Sequence, residues 1–289
     1  MEALGSRPIA LVLPGGAALG SWQAGCLYGL AHQHKIDFHS VFGTSVGALN
    51  GCAYFQDTCE RLREIWCAVK RTYFFRFSPR LKPVSFFSQK HLRQYLARLV
   101  DEERARKLKR CWFYVISTDI ANGKTHQAVY SPEPDGAWEG QLLDHLLGSI
   151  SIPFVLPPVR IARKGAGHHV LLDGVAKSYV NLLPALARGV KDILFLNVVH
   201  PSELSSPAFG LTSYISTLIN QLLQGQIDHS LESVRLAGAG DVRAYVFHPS
   251  KRLNMKALKF DTKDCRQAFE LGWGDAGTLL ANPEAYRTL

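Results

Sequence analysis

The sequence predicts an α/β fold: a three-layer α/β/α arrangement around a mostly parallel central sheet. Three observations predict it. Short apolar runs bounded by turn residues alternate with stretches of helical periodicity. Residues 9–13 are wholly apolar between Pro8 and Pro14, the pattern of a strand buried on both faces. The order strand, small-residue loop, helix then occurs twice in succession near the N-terminus.

The elements follow in order. After the strand at 9–13 comes Gly15-Gly16-Ala17-Ala18-Leu19-Gly20, and from Ser21 the spacing of Trp22, Cys26, Leu27, Leu30 and Ala31 is helical. Residues 38–42 form a second strand, 43–47 a turn, and Ala48 opens a helix. A further helix covers 58–69. Ser88 caps a helix running to Leu99, with Leu92, Tyr95, Leu96 and Leu99 on one face. Residues 111–118 are strongly strand-like, Asn122-Gly123 signals a hairpin, and 125–130 return. A short helix at 142–147 precedes a brief strand at 170–172 that stops at Asp173-Gly174. Residues 192–199 read as another buried strand, 211–237 as one long helix or two, 242–247 as a strand and 262–280 as the last helix. No repeat, low-complexity stretch or Pro/Ser-rich linker divides the chain, so residues 1–289 are expected to form one domain. Residues 70–87 are the least regular, an insertion or a flap.

A formal net charge of +9 favours anionic partners, whether nucleic acid, acidic substrates or an anionic membrane surface. Residues 1–8 are too polar for a signal peptide, and no stretch approaches the roughly 20 apolar residues of a spanning helix. Six scattered cysteines form neither a CxxC pair nor a zinc-type spacing with histidine. A reducing compartment fits them, so the expected location is the cytoplasm, with peripheral contact at membranes, and no metal or other cofactor is expected.

Gly43-Thr44-Ser45-Val46-Gly47 matches the pattern of a nucleophile elbow. Ser45 would occupy a strained backbone conformation at a helix N-terminus, where backbone N–H groups and the helix dipole favour developing negative charge. Side chains two positions either side would collide with the strand and the helix. An ordinary tight turn is the alternative. The loop at 15–20 lacks the Lys-Ser/Thr ending of a phosphate-binding loop and the GxGxxG spacing. It suits backbone donors to an oxyanion, with dinucleotide binding the runner-up. For a base, Asp173 closes a strand and can share a sheet edge with Ser45. Its ordinary pKa is roughly 3.9, and desolvation would raise it into a useful range. His200 and His248, each ending a predicted strand, give instead the order Ser, Asp, His of a triad.

Taken in order, these blocks resemble the patatin-like phospholipase family. The segment from Gly15 to Gly20 is similar to its oxyanion loop, and Gly43-Thr44-Ser45-Val46-Gly47 to its nucleophile box. Asp173-Gly174 is similar to its Asp-Gly motif, and the stretch from Gly148 to Phe154 with Leu156-Pro157-Pro158-Val159 to the segment preceding that motif. The resemblance implies a lipid acyl hydrolase of the phospholipase A or lysophospholipase kind, acting on phospholipid or other lipid esters. Ser45 would be the nucleophile and Asp173 its base in a Ser–Asp dyad, with Gly15, Gly16 and Ala17 as the oxyanion hole. The motif-bearing core spans about 7–200, and residues 200–289 are a less matched α/β part. Two departures stand out. Ala17 replaces a third loop glycine, at little cost if its φ is negative, and Leu19 replaces a common Arg or Lys. A weak or inactive lipid- or nucleotide-binding protein, or an acyltransferase, is the alternative.

The segment from Lys70 to Phe77 mixes cations with aromatics, and Arg80, Lys82 and Phe86-Phe87 follow. Arg71, Phe74, Phe75 and Arg76 are read as contacts to an anionic membrane. The same composition would suit single-stranded nucleic acid, although no nucleic-acid partner is expected. The basic run from Arg104 to Arg110 reads as a solvated helix face.

Overall fold

The first strand is apolar and alternates its side chains between two layers. A computed structural model describes residues 4–70, 72, 76–163, 165, 167–177, 179–204, 211–238 and 240–289. Strand β1 (Ile9–Leu13) is buried throughout, and α1 (Gly20–Leu27) follows the glycine-rich loop. Next come β2 (Ser40–Thr44), α2 (Val46–Phe55) and α3 (Leu62–Cys67). A hairpin of β3 (Arg76–Leu81) and β4 (Val84–Ser88) stands apart from the main sheet. Helices α4 (Lys90–Leu96) and α5 (Glu102–Leu108) lead into β5 (Trp112–Asp119) and β6 (Lys124–Tyr130). Then follow α6 (Leu142–Ser149), β7 (Val159–Ala162), β8 (His168–Asp173) and α7 (Leu183–Ala187). The chain ends with β9 (Asp192–Leu196), α8 (Leu211–Leu236), β10 (Arg243–Phe247) and α9 (Thr262–Ala281).

The eight-stranded sheet has the order β10-β9-β1-β2-β5-β8-β7, with β6 also on β5. Strands β10, β9, β1, β2 and β5 are mutually parallel. Strands β6 and β8 run against β5, and β7 runs against β8. The two faces carry different clusters, as period-two alternation requires. Ile9, Leu11 and Leu13 join α1, α2 and α9 on one side. Ala10 and Val12 join Phe42, Tyr114, Phe195 and residues of α8, including Ile227 and Leu231, on the other. The expected layered α/β fold with a mostly parallel sheet is therefore present. The hairpin signalled by Asn122-Gly123 is β5–β6. What the sequence did not reveal is that β8 runs against β5, and the short β7.

One feature of β5 positions the site. Its residues 112–116 pair with β2 and its residues 117–119 with β8, while β6 covers the opposite edge. Strands β2 and β8 thus share one edge of β5 and run toward each other. Thr44 lies opposite Ile116, and Asp173 opposite the next residue, Ser117. Asp119 secures this junction. It accepts from the backbone of Val170 and Ala121 and from the side chains of Asn122 and His169. Desolvation pushes its carboxyl up, but these bonds outweigh that and hold it at about 2.

The C-terminal third is joined to the motif-bearing part by close backbone contact. Helix α9 crosses α1 at glycines: a Cβ on Gly272 would fall 2.0 Å from Trp22 O, and one on Gly25 2.0 Å from Phe269 O. Trp22 Nε1 donates to Asp275 across the same contact at 2.8 Å. The Gly272→Ala variant must push the helices apart and is expected to lose about 1–3 kcal/mol, read as a lower urea midpoint at unchanged slope.

Candidate active site

Ser45 is the single residue between β2 and α2, with φ 54 and ψ −128. A side chain held in such a region costs on the order of 1–3 kcal/mol and persists only where its surroundings enforce it. The glycines of the box allow the turn by leaving room. A Cβ on Gly43 would sit 2.4 Å from Ala48 Cα, and one on Gly47 2.0 Å from Leu13 O. Ser149 supplies the restraint: its Oγ accepts from Ser45 N–H at 2.8 Å and donates to Ile116 O at 2.6 Å.

Asp173 meets Ser45 head-on from β8. Ser45 Oγ donates to Asp173 Oδ2 at 2.6 Å, and both residues are buried. Asp173 Oδ1 accepts from Val175 N–H at 3.0 Å, Asp173 N–H donates to Ser151 O at 2.9 Å, and Thr118 Oγ1 donates to Asp173 O at 3.0 Å. Burial pushes the Asp173 carboxyl up to about 6, against the downward pull of the bonds from Ser45 and Val175. Gly174 packs under the junction, where a Cβ would meet Ile116 O at 2.7 Å. His200 is turned elsewhere. Its Nδ1 bonds Ser202 Oγ at 2.7 Å, and its ring packs on His248.

The glycine-rich loop lies against Ser45. A Cβ on Gly15 would be 3.1 Å from Ser45 Cβ and 2.8 Å from Val175 Cγ2. Among the described residues, no carbonyl accepts from the N–H groups of Gly15, Gly16 or Ala17. A buried polar chain that motif reading passed over holds the loop from behind. Trp66 Nε1 donates to Asn50 Oδ1, and Asn50 Nδ2 donates to Gly20 O and Gln23 Oε1, all at 3.0 Å. Gln23 Nε2 donates in turn to Pro14 O and Leu196 O, both at 3.1 Å. The spacing of Gln23 and Asn50 gives no signal, because nothing in the sequence places two helices back to back. One expectation is corrected. Ala17 has φ 49, not a negative value, because the loop must turn into α1 directly after Gly16 at φ 143. Leu19 is packed into the core.

An apolar cavity opens beside Ser45 and Ala17 and follows α2 past Val46, Leu49 and Ala53 to Gln56. Leu62, Trp66, Leu96 and Leu156 line it from neighbouring elements. Among the membrane contacts read from sequence, Arg71, Phe74 and Phe75 lie outside the described residues. Arg76 is exposed on β3, and its Nη1 lies 2.7 Å from His91 Nε2. The basic run from Arg104 to Arg110 largely coincides with α5, where Arg106 and Lys107 pair with Glu102 and Glu103 one turn earlier.

The family model for patatin-like phospholipases matches residues 11–186. The chain belongs to the patatin-like phospholipase family. It is similar to patatin-like phospholipase domain-containing protein 7 of Mus musculus, 26% identical over 217 residues, and to that of Rattus norvegicus, 29% identical over 217 residues. Each match covers 72% of this chain, and the chain spans only 15% of those relatives' length. Among solved structures, VipD from Legionella pneumophila aligns at a TM-score of 0.40 and 12% identity, over 98% of this chain and 68% of VipD. Among the described residues, no helix of this patatin-like chain is long and apolar enough to cross a membrane.

Because Ala17 is held at positive φ, the Ala17→Gly variant of this patatin-like loop should be more stable by about 1 kcal/mol, seen as a higher denaturation midpoint.

Proposed function

We propose that the chain is a lipid acyl hydrolase of the phospholipase A or lysophospholipase kind, using Ser45 and Asp173 as a dyad. One observation carries this reading: the 2.6 Å bond from Ser45 Oγ to Asp173 Oδ2 at the mouth of an apolar cavity. As Ser45 Oγ attacks the ester carbonyl carbon, its proton passes to Asp173 Oδ2. The carbonyl oxygen becomes an oxyanion, received by the N–H groups of Gly15, Gly16 and Ala17. The tetrahedral species collapses, and the alcohol leaves with the proton from Asp173. Water then gives a proton to Asp173 and attacks the acyl-Ser45 carbonyl. Collapse frees the fatty acid and returns the proton to Ser45 Oγ. No step requires a metal or other cofactor.

The cavity supports a lipid substrate rather than a polar ester, because an acyl chain can lie along α2 out of water. The raised Asp173 supports the role of base. A carboxylate at its ordinary pKa would be a poor proton acceptor from a serine near neutral pH. Packing of α9 on α1 supports treating residues 1–289 as one working unit, since α1 leads directly out of the oxyanion loop.

Two outcomes test the chemistry. A fluorophosphonate probe should label the wild type and not Ser45→Ala. On a panel of lipid esters, Ser45→Ala and Asp173→Asn should each lose about 10⁴-fold in kcat, while His200→Ala keeps its rate. Full activity in Asp173→Asn with loss in His200→Ala would replace the dyad by a triad. The pH profile gives the second check. The ionised form of Asp173 is the base, so kcat/KM should climb as pH rises toward 6 and level off above it. A profile flat from pH 5 to 8 would remove Asp173 from that role.

A further inference from the structure

The hairpin β3–β4 exposes what folded chains usually hide. Phe77 is 70% exposed, Leu81 88%, Val84 52% and Phe86 52%. Leu81 and Val84 face each other across the end of the hairpin, so the apolar pair sits at its tip. Phe154 adds to the patch. It is 67% exposed, has φ 66, and its carbonyl accepts from Phe86 N–H at 2.9 Å. A bulky ring held outward on strained backbone is a costly arrangement, and no ring partner explains it among the described residues.

Cations lie on and beside the same hairpin. Arg80, Lys90 and Arg160 line a crevice beside the hairpin, together with Ile120, Pro157 and Pro158. Lys82 follows Leu81 at the tip. None of Arg80, Lys82, Lys90 or Arg160 has a carboxylate partner among the described residues, whereas Arg93 in the same crevice is paired with Asp144. Unpaired cations bordering exposed apolar side chains complement a surface that is anionic outside and apolar just beneath, which is the make-up of an anionic bilayer.

The hairpin is also tied to the cavity. Phe87 N–H donates to Val155 O at 3.0 Å, next to Leu156 in the cavity wall. Gln89, just beyond β4, donates to Ser151 Oγ at 2.7 Å, and Ser151 O receives Asp173 N–H. Two short bonded steps therefore join the hairpin to the Ser45–Asp173 pair.

We propose that the β3–β4 hairpin and the Arg80–Lys90–Arg160 crevice form a docking surface for anionic membranes. Leu81, Val84 and Phe86 enter the interface, and the cations meet lipid phosphates. This surface overlaps the stretch read from sequence, since Arg76, Arg80, Lys82 and Phe86 lie on or at the hairpin while Arg71, Phe74 and Phe75 lie outside the described residues; Leu81, Val84, Phe154 and Arg160 are what the structure adds. It rests on the lipid-hydrolase reading for its purpose, but its test does not require turnover.

The test uses the full chain carrying Ser45→Ala, sedimented with vesicles of phosphatidylcholine alone or with added phosphatidylserine. Binding is expected only with phosphatidylserine and should weaken with added salt. Arg80→Gln with Arg160→Gln should weaken it about 25-fold, at roughly fivefold per cation. Leu81→Ser with Val84→Ser should weaken it about tenfold or more, also at high salt. A charge-matched pair elsewhere, Lys251→Gln with Lys263→Gln, should bind like the parent. As a gain of signal, Leu81→Trp should shift its emission to the blue on phosphatidylserine vesicles. Equal binding to both vesicle types overturns the proposal. So does equal loss in the Lys251/Lys263 pair, an unshifted Leu81→Trp, or capture by a single-stranded oligonucleotide in place of vesicles. Fluorophosphonate labelling of the wild type stands apart from every arm, so failure of docking and failure of the hydrolase reading are separable.

Discussion

Everything about the site depends on two strands meeting end to end on one edge of β5. Strand β2 runs with β5 and stops opposite Ile116. Strand β8 runs against it and stops opposite Ser117. One residue of register brings Ser45 and Asp173 together, and a slip of one would turn both side chains to the wrong face. The structure accordingly spends its polar groups at this joint. Ser149 bridges Ser45 N–H to Ile116 O, Thr118 and Ser151 clamp the Asp173 backbone, and Asp119 pins the start of the β5–β8 pairing.

That arrangement explains how a carboxylate comes to face a serine without an intervening imidazole. A histidine at a strand end could reach the same sheet edge, and His200 is near enough in sequence pattern to be a candidate. In the fold it caps the short turn after it through Ser202, and Glu203 returns a bond to its backbone. Asp173 is instead buried with a single oxygen turned to Ser45, the other being held by Val175 N–H. Desolvation then does for the carboxylate what an imidazole has by nature, moving its pKa toward neutrality.

Much of this was legible in the sequence, and the limits have physical causes. The buried parallel strands announced themselves by apolar runs, and β1 was bounded by prolines, so its ends were readable. Strand β2 lies two residues later than expected, at Ser40–Thr44, because a strand entering a tight turn continues to the turn itself. Ser45, Asp173 and the loop glycines could be found because tight turns restrict residue type. Strand β7 escaped because Val159–Ala162 carries an arginine and only one fully buried residue, which is what an edge strand permits. Gln23, Asn50 and Ser149 escaped because their role is to satisfy backbone groups on distant segments, and no local pattern encodes such a partner. The sign of φ at Ala17 was equally hidden: it follows from how the loop must turn into α1, not from the residue itself.

The glycine loop shows what that hidden constraint implies. Three N–H groups with no carbonyl to receive them among the described residues are costly in a buried turn, and folded proteins ordinarily pair such groups. Here the loop cannot relax to pair them. Gln23 holds Pro14 O, Asn50 holds Gly20 O, and Ala18 N–H is tied to Ala257 O at 2.8 Å. The last of these ties comes from the segment ahead of α9, far from the motifs in sequence. The open donors are therefore maintained by restraints at both ends of the loop and by a further one at Ala18, supplied by the C-terminal third. Unpaired donors held rigid by remote hydrogen bonds are preorganised toward negative charge, because they need no rearrangement to meet it.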